Sequence, residues 1–395
     1  VLQAYGLKYA LEGLGCSVTF IRDCSVKGSS MKDRSIKDNR EPNGAAPEND
    51  RRDPNEAVPE NDRRNPNGAA PKNDWRDPDE AVPENNGKDR YLKVLEALRK
   101  RQQVLRSSAN AVSAFSERHF RTEKWDGQND INQSYDFFIA GSDQIWNVEI
   151  TGLDPFWFLD FAQPEKRLTY AVSFGKDCLP ESCLSWYREM LAGFTAFSVR
   201  EETGRRIIHE LTGKDAVVCP DPVLLPERRV WEELMQTADQ ADPSVVLYMT
   251  EFDAGLYQYA KADAAAKKLP LAILSPVKLP FTEETTICTP EAWLGYIANA
   301  AVVYTNSYHA LIFSHIFHKD LRIRLLTKMR SRNDRIFAFI ESMGEALVED
   351  ETRPGLFLLE DAGGEGYGVR PHGECTDSRL NTLRNFGIDY LRNAL

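Results

Sequence analysis

Apolar residues fall at Leu2, Tyr5, Leu7, Ala10, Leu11 and Leu14, a roughly helical spacing that ends at Gly15. Val18-Thr19-Phe20-Ile21 comes next as a predicted strand, so the chain opens with half of a βαβ unit. The strand that would precede that helix is missing and Val1 reads as helix interior; a further N-terminal piece, with room for a signal sequence, is expected upstream. Residues 39–86 break the pattern. Pro42, Pro54, Pro66 and Pro78 recur every twelve residues there, as do Pro47, Pro59, Pro71 and Pro83, among Asn, charge and isolated Ala, Val and Trp75. Two prolines per unit forbid a continuous helix, and nothing apolar accumulates to offset the entropy of ordering. A disordered surface insertion is expected; Asp77-Pro78-Asp79, which imitates a metal-binding DxD, is one degenerate unit of it.

Leu92, Leu95 and Leu98 predict a helix around Tyr91–Gln103, and the stretch to about Asn132 is too polar to read. Strands are then predicted at Phe137–Ala140, Leu168–Phe174, Ala196–Val199 and Ala216–Cys219, with helices at Leu184–Ala192 and 203–211 between them. Leu225–Pro243 has no strand. A second series comes after it, with strands at Val245–Met249, Leu271–Leu274, Ala301–Tyr304 and 321–325, and helices at 255–267, 290–299, 308–317 and 378–393. Alternating β and α elements predict parallel sheets covered on both faces. The expected fold class is α/β, with two doubly wound, Rossmann-like parallel-sheet domains facing a cleft in a GT-B-like arrangement. The boundaries are 1–38 with 87–225 for the first domain, 39–86 for the insertion, 226–243 for the crossing, 244–375 for the second domain and 376–395 for a terminal helix.

Composition narrows the function classes. A formal net charge of −11 argues against a general binder of nucleic acid or anionic membrane, and requires any site for an anionic substrate to supply local positive charge. The seven cysteines include no CxxC pair, so neither a disulfide framework nor a zinc site is indicated, and a reducing, cytoplasmic setting fits. No apolar stretch reaches the length of a membrane span.

In open parallel sheets ligands bind beyond the carboxyl ends of the strands, so the residues just past each apolar run are the informative ones. Gly141-Ser142-Asp143-Gln144-Ile145-Trp146-Asn147 lies past the first run, Ser173-Phe174-Gly175 past the second, Arg200-Glu201-Glu202 past the third and Thr305-Asn306-Ser307-Tyr308-His309 past a later one. Singly each is an ordinary helix cap or turn; together they predict a polar cleft. Arg200 suits an oxyanion grip by two parallel hydrogen bonds, its alternative being a structural ion pair. His309, in the first turn of a helix, suits acid/base work beside a phosphate, its alternative being a locally bonded histidine. Ser142, Asp143, Gln144 and Asn147 read as substrate partners or as braces of their turn, and Trp146 as a sugar platform or core plug. Asp221, between two prolines, reads as structural. His315 and His318 lie one turn apart without a third metal ligand. The run Arg322, Arg324, Lys328, Arg330, Arg332 and Arg335 reads as a solvated face, or as a stripe drawing a phosphorylated donor or lipid-phosphate-linked acceptor to the cleft.

These segments, with Asp221-Pro222-Val223-Leu224-Leu225, occur in an order that resembles the polysaccharide pyruvyl transferase family, over about 1–30 and 135–345. The family's first strand and turn are absent, and the proline-rich repeat is foreign to the pattern. The resemblance implies transfer of pyruvate from phosphoenolpyruvate to sugar hydroxyls of a polysaccharide or its precursor, giving a ketal and phosphate. It implies His309 and Arg200 as catalytic residues, and Ser142, Asp143, Gln144, Asn147, Ser173, Glu201, Asn306 and Ser307 as substrate-binding ones. No cofactor beyond the donor substrate is expected, and a metal requirement stays open. Expected partners are phosphoenolpyruvate and a sugar or lipid-linked glycan, with peripheral membrane association through that acceptor left open. The alternatives are a GT-B glycosyltransferase using a nucleotide sugar, and an inactive relative serving as a binding or assembly protein. Deleting residues 39–86 is expected to leave solubility, melting temperature and turnover nearly unchanged; an insoluble or collapsed product would show the repeat to be structural.

Overall fold

Val245-Val246-Leu247 and Val302-Val303-Tyr304 are apolar without alternation, as strands covered on both faces must be, and all six residues are buried. They form the centre of a computed structural model that describes residues 1–23, 106–127, 129–235, 243–274, 285–286, 288–328, 330–362 and 374–395. The repeat at 39–86 and the helix expected at 91–103 lie outside the described residues, all of which belong to one compact unit.

The N-terminal part contains helix α1 (Leu2–Gly13), strand β1 (Phe20–Asp23), a helix α2 described over 106–119, and strand β2 (Thr122–Trp125), which runs parallel to β1. Strands β3 (Phe138–Ala140), β4 (Arg167–Thr169), β5 (Phe197–Val199) and β6 (Ala216–Val218) come next, with short helix α3 (Val148–Thr151), α4 (Leu184–Ala192) and α5 (Glu202–Thr212) between them. β3 pairs with β4 and β5 with β6, both parallel, and a parallel bridge from Val172 to Val199 connects the pairs. β4 is shorter than the predicted 168–174 because Ala171 takes φ +48°, a left-handed conformation that breaks the ladder for one residue. Its amide is met by Ser198 Oγ at 3.0 Å instead. Trp146 stacks on Phe158 with centroids 5.0 Å apart and fills this part's core.

Helix α6 (Arg228–Met235) occupies the predicted crossing and buries Val230, Trp231 and Leu234. Beyond it lie β7 (Ser244–Tyr248), α7 (Ala254–Lys267), β8 (Leu271–Ile273), α8 (Pro290–Asn299), β9 (Ala300–Thr305), α9 (Tyr308–Ile316), β10 (Leu321–Ile323), α10 (Asp334–Ser342), β11 (Glu345–Glu349), β12 (Phe357–Asp361) and α11 (Glu374–Ala394). The helices start where side chains satisfy free amides: Asp253 accepts from Leu256 N at 2.7 Å, and Thr289 from Ala292 N at 3.2 Å ahead of Pro290. The six strands run in the order β11-β12-β10-β9-β7-β8. β8, β7, β9 and β10 are parallel, but β12 is antiparallel to β10 and to β11. The expectation of purely parallel sheets is therefore corrected to a mixed sheet. The cause is local: a tight turn through Gly355, at φ +73°, folds the chain back at once, so no crossover helix is needed.

α11 returns to the N-terminal part, where Leu391 joins Leu7, Tyr170, Ala171 and Leu225 in one cluster. α1 lies as closely on the turn after β6. A methyl group at Gly6 would sit 2.2 Å from the Pro222 carbonyl oxygen, and backbone cannot move aside as a side chain can. Gly6→Ala is expected to destabilise by about 1–3 kcal/mol by overpacking, outweighing the ~1 kcal/mol helix-propensity gain. Urea denaturation checks this, and an unchanged or higher midpoint would show that α1 has slack.

Candidate functional site

The turns after β3, β5, β6 and β9 converge with the first turn of α1. Arg200 comes directly after β5, and its amide continues the ladder by donating to Val172 O at 3.0 Å. Its side chain is buried and meets Asp221, 0% exposed, with Nη2 3.2 Å from Oδ2. Nη2 also donates to Ser142 Oγ, and Nη1 lies 3.7 Å from Asp143 Oδ1. Asp221 Oδ1 accepts from Val223 N at 3.1 Å, and Oδ2 accepts from Gln3 Nε2 at 3.2 Å. His309 Nε2 stands 3.4 Å from the same Oδ2. Asp221 thus holds together an arginine, a histidine and a helix from separate stretches of chain.

The other predicted site residues divide into two groups. Ser142, Asp143, Ser173 and Glu201 lie around Arg200: Ser173 Oγ donates to Glu201 Oε1 at 2.5 Å and accepts from Gly175 N at 3.0 Å. Gln144, Asn147 and Asn306 spend their polar atoms on the frame. Asn147 Oδ1 accepts from Glu149 N at 3.1 Å at the start of α3, and its amide approaches Gln144 Oε1 at 3.4 Å. Those two side chains leave no room for a Cβ at Gly175, which takes φ +61°. Asn306 Oδ1 accepts from Thr250 N at 2.8 Å and Nδ2 donates to Glu251 O at 2.7 Å, tying the ends of β9 and β7 together. Ser307 is buried directly before α9. Trp146 is core. His315 and His318 face different partners, Glu345 and Asp377, each at 2.9 Å.

Three residues of this site are not distinguished by their sequence pattern. Asp221 reads as structural because two prolines bracket it, yet those prolines fix its place between Arg200 and His309. Gln3 gives no signal beyond its helix. Arg335 is one of six basic residues, and it alone of that run stands over the Tyr308 ring, its guanidinium carbon 5.2 Å from the centroid. Arg200 lies 5.8 Å from the same ring.

Burial alone would raise the Asp221 carboxyl, but Arg200 and then His309 hold it well below the usual carboxylate range. Desolvation also pushes Asp143, 51% exposed, upward, and Arg200 with His309 carries it net below. Glu201 goes the other way: desolvation raises it, and the opposing pull of Arg200 is too weak to reverse this. Because Asp221 is depressed on folding, its contribution to stability is complete above roughly pH 4 and lost as pH falls below that. Asp221→Asn is expected to lose about 3–5 kcal/mol near neutral pH by stranding Arg200. That gap should narrow below about pH 4, where the carboxylate of the unfolded wild-type chain takes up a proton while the folded one stays ionised. Urea melts across pH test this; a gap that stays constant down to about pH 3 would mean the pair is not its source.

Beside the cluster opens a cavity of about 270 Å³, lined by Gln3, Tyr248, Thr286, Trp293, His309 and Phe313 among others. Its walls mix aromatic faces with hydroxyls, and His309 belongs both to this wall and to the charged cluster. Among the described residues no helix is long and apolar enough to cross a membrane. No curated protein and no solved structure matches the chain. The sequence pattern of one family, described as polysaccharide pyruvyl transferase, matches residues 1–320. The protein belongs to the polysaccharide pyruvyl transferase family and is a transferase.

Proposed function

We propose that this protein transfers the pyruvyl skeleton of phosphoenolpyruvate to two hydroxyls of a sugar in a polysaccharide or its precursor, forming a cyclic ketal and releasing phosphate. The observation that carries this reading is His309, which lines the 270 Å³ cavity while standing 3.4 Å from the Asp221 that anchors Arg200. The reaction joins an anion to a carbohydrate, and the two halves of that surface have matching chemistry.

Arg200 holds an oxyanion of the donor, with Ser142 beside it. Its Nε and Nη1 are buried without a hydrogen-bond partner, and N–H groups left so are costly unless a ligand engages them. A proton delivered to the methylene carbon leaves an oxocarbenium-like centre at the enol carbon. One sugar hydroxyl adds there and returns its proton to the acid/base group; the second hydroxyl then displaces the phosphate, which departs carrying that hydroxyl's proton, and the ketal closes. His309 is assigned the proton transfers, with the Asp221 carboxylate 3.4 Å from its Nε2. The aromatic and hydroxyl walls of the cavity take the sugar, which packs on rings through its C–H faces. The strand layers on either side of this surface are read as the two doubly wound halves of a GT-B-like arrangement. The cytoplasm is the proposed location: all six described cysteines are free, as a reducing compartment would keep them.

The test is phosphate release from phosphoenolpyruvate, with and without a panel of glycan acceptors. Acceptor-dependent release is expected, and His309→Gln should lower it about 10²–10⁴-fold at unchanged melting temperature. Arg200→Lys is the better partner variant, since Arg200→Ala would strand the buried Asp221 and confound activity with stability. Near-normal turnover by His309→Gln would remove the histidine from the mechanism, and nucleotide-sugar cleavage without phosphate release would replace the donor.

A further inference from the structure

The cavity beside the charged cluster is set by the topology of the six-stranded sheet. From β7 the chain goes through α7 to β8 on one side, and from β9 it goes through α9 to β10 on the other. Connections that part at the carboxyl ends of neighbouring strands leave a crevice between them. Tyr248 ends β7, while His309 and Phe313 lie on α9; half-buried Trp293, on α8, joins them in the cavity wall. Trp293 meets Tyr248 edge to face with centroids 5.3 Å apart, and Phe313 likewise at 5.6 Å. An indole held by two other rings keeps its orientation before any ligand arrives.

The wall is polar but almost without charge. None of the described residues that line it is Asp, Glu, Lys or Arg, in a chain whose residues are 28% charged. Burial pushes the Tyr248 phenol and the Cys288 thiol up to about 12, so both stay neutral at ordinary pH. Thr286 is held in place by its amide, which donates to Ile273 O at 2.8 Å. Gln3 gives its Nε2 to Asp221, so its oxygen is the atom left to accept. Trp293 Nε1 is buried with no hydrogen-bond partner, although a buried indole N–H ordinarily has one.

These features select a ligand by size and by charge. A volume of about 270 Å³ lies below the ~300 Å³ at which pockets for drug-sized ligands begin, so one sugar ring has room and a second stays outside. A carboxylate in this wall would lose its water and meet no cation, whereas hydroxyls find both donors and acceptors. We propose that the cavity binds a single uncharged pyranose ring, with Trp293 as its platform, and rejects sugars that carry a carboxylate. That this ring is the acceptor of pyruvyl transfer rests on the reading above; the cavity's choice of ring does not. Trp293 is a binding residue and transfers no proton.

The experiment uses the full chain as wild type, Trp293→Phe and Trp293→Ala. The probes are methyl glycosides of galactose, glucose, mannose and N-acetylglucosamine, against methyl galacturonoside and methyl glucuronoside. Binding is read by saturation-transfer NMR and by tryptophan fluorescence. At least one uncharged glycoside is expected to bind saturably, and its uronoside counterpart about tenfold more weakly or worse. Lengthening that glycoside by a second ring should leave affinity nearly unchanged. Trp293→Ala should weaken binding about tenfold, and Trp293→Phe less, because a phenyl face replaces the larger indole. The fluorescence response should vanish in Trp293→Phe while binding by NMR persists. Should Trp293→Ala fail to fold, Trp293→Phe decides, through reduced affinity and the lost response. Equal affinity for uronosides, wild-type affinity in Trp293→Ala, or a wild-type protein that binds no uncharged glycoside overturns the proposal. Trp293-dependent binding in a protein that releases no phosphate from phosphoenolpyruvate keeps the sugar site and rejects the transfer reaction. Phosphate release as fast with uronosides as with uncharged glycosides keeps the reaction and rejects this assignment.

Discussion

The buried pair of Arg200 and Asp221 is the constraint to which the surrounding segments answer. Neither charge has water to fall back on, so each needs the other and a set of further partners in fixed places. Those partners come from across the chain: Ser142 and Asp143 after β3, Gln3 on α1, the Val223 amide, and His309 at the start of α9. The tight seating of Gly6 on Pro222 answers the same demand, because α1 must come close for Gln3 to reach the carboxylate. The pair costs desolvation and in return fixes how five pieces of backbone meet.

Backbone strain gathers at the same place. Asp143 takes φ +91° and Ala171 φ +48°, conformations that side chains with a Cβ adopt rarely and only when the surroundings over-determine them. Asp143 turns its carboxylate toward Arg200 from that position, while its carbonyl accepts from Ser173 N at 2.9 Å. Here local positive charge comes from buried Arg200, whose Nε and Nη1 are unfilled donors, while the protein as a whole stays strongly negative.

The alternation of strands and helices was legible because the inner strands are unbroken apolar runs between glycines and caps, as at β7, β9 and α7. β11 and β12 were not. Glu345-Ala346-Leu347-Val348-Glu349 is a half-exposed edge segment whose partner lies across a tight turn, and its composition fits a helix as well as a strand. For the candidate site, the rule that ligands bind at the carboxyl ends of strands singled out Ser142, Arg200 and His309, which the fold brings together around Asp221. It could not separate residues that face a ligand from those, like Gln144, Asn147 and Asn306, whose polar atoms tie the turns to one another. Gln3 and Arg335 sit on helices, where only three-dimensional proximity distinguishes them from neighbours of the same type.

The placement of α11 has a further consequence for how the chain is made. Gly387 approaches Tyr170 and Leu225 so closely that no Cβ would fit, and Leu391 completes the cluster around Leu7 and Ala171. The cluster around Leu7 and Tyr170 cannot close while the N-terminal half emerges from the ribosome; at about 5–20 residues per second, tens of seconds separate the synthesis of α1 from that of α11. Through that interval Tyr170 and its apolar neighbours stay uncovered. The core around Trp146 needs no residue of α11, so truncation before residue 374 would open the Leu7–Tyr170–Leu225 cluster in particular.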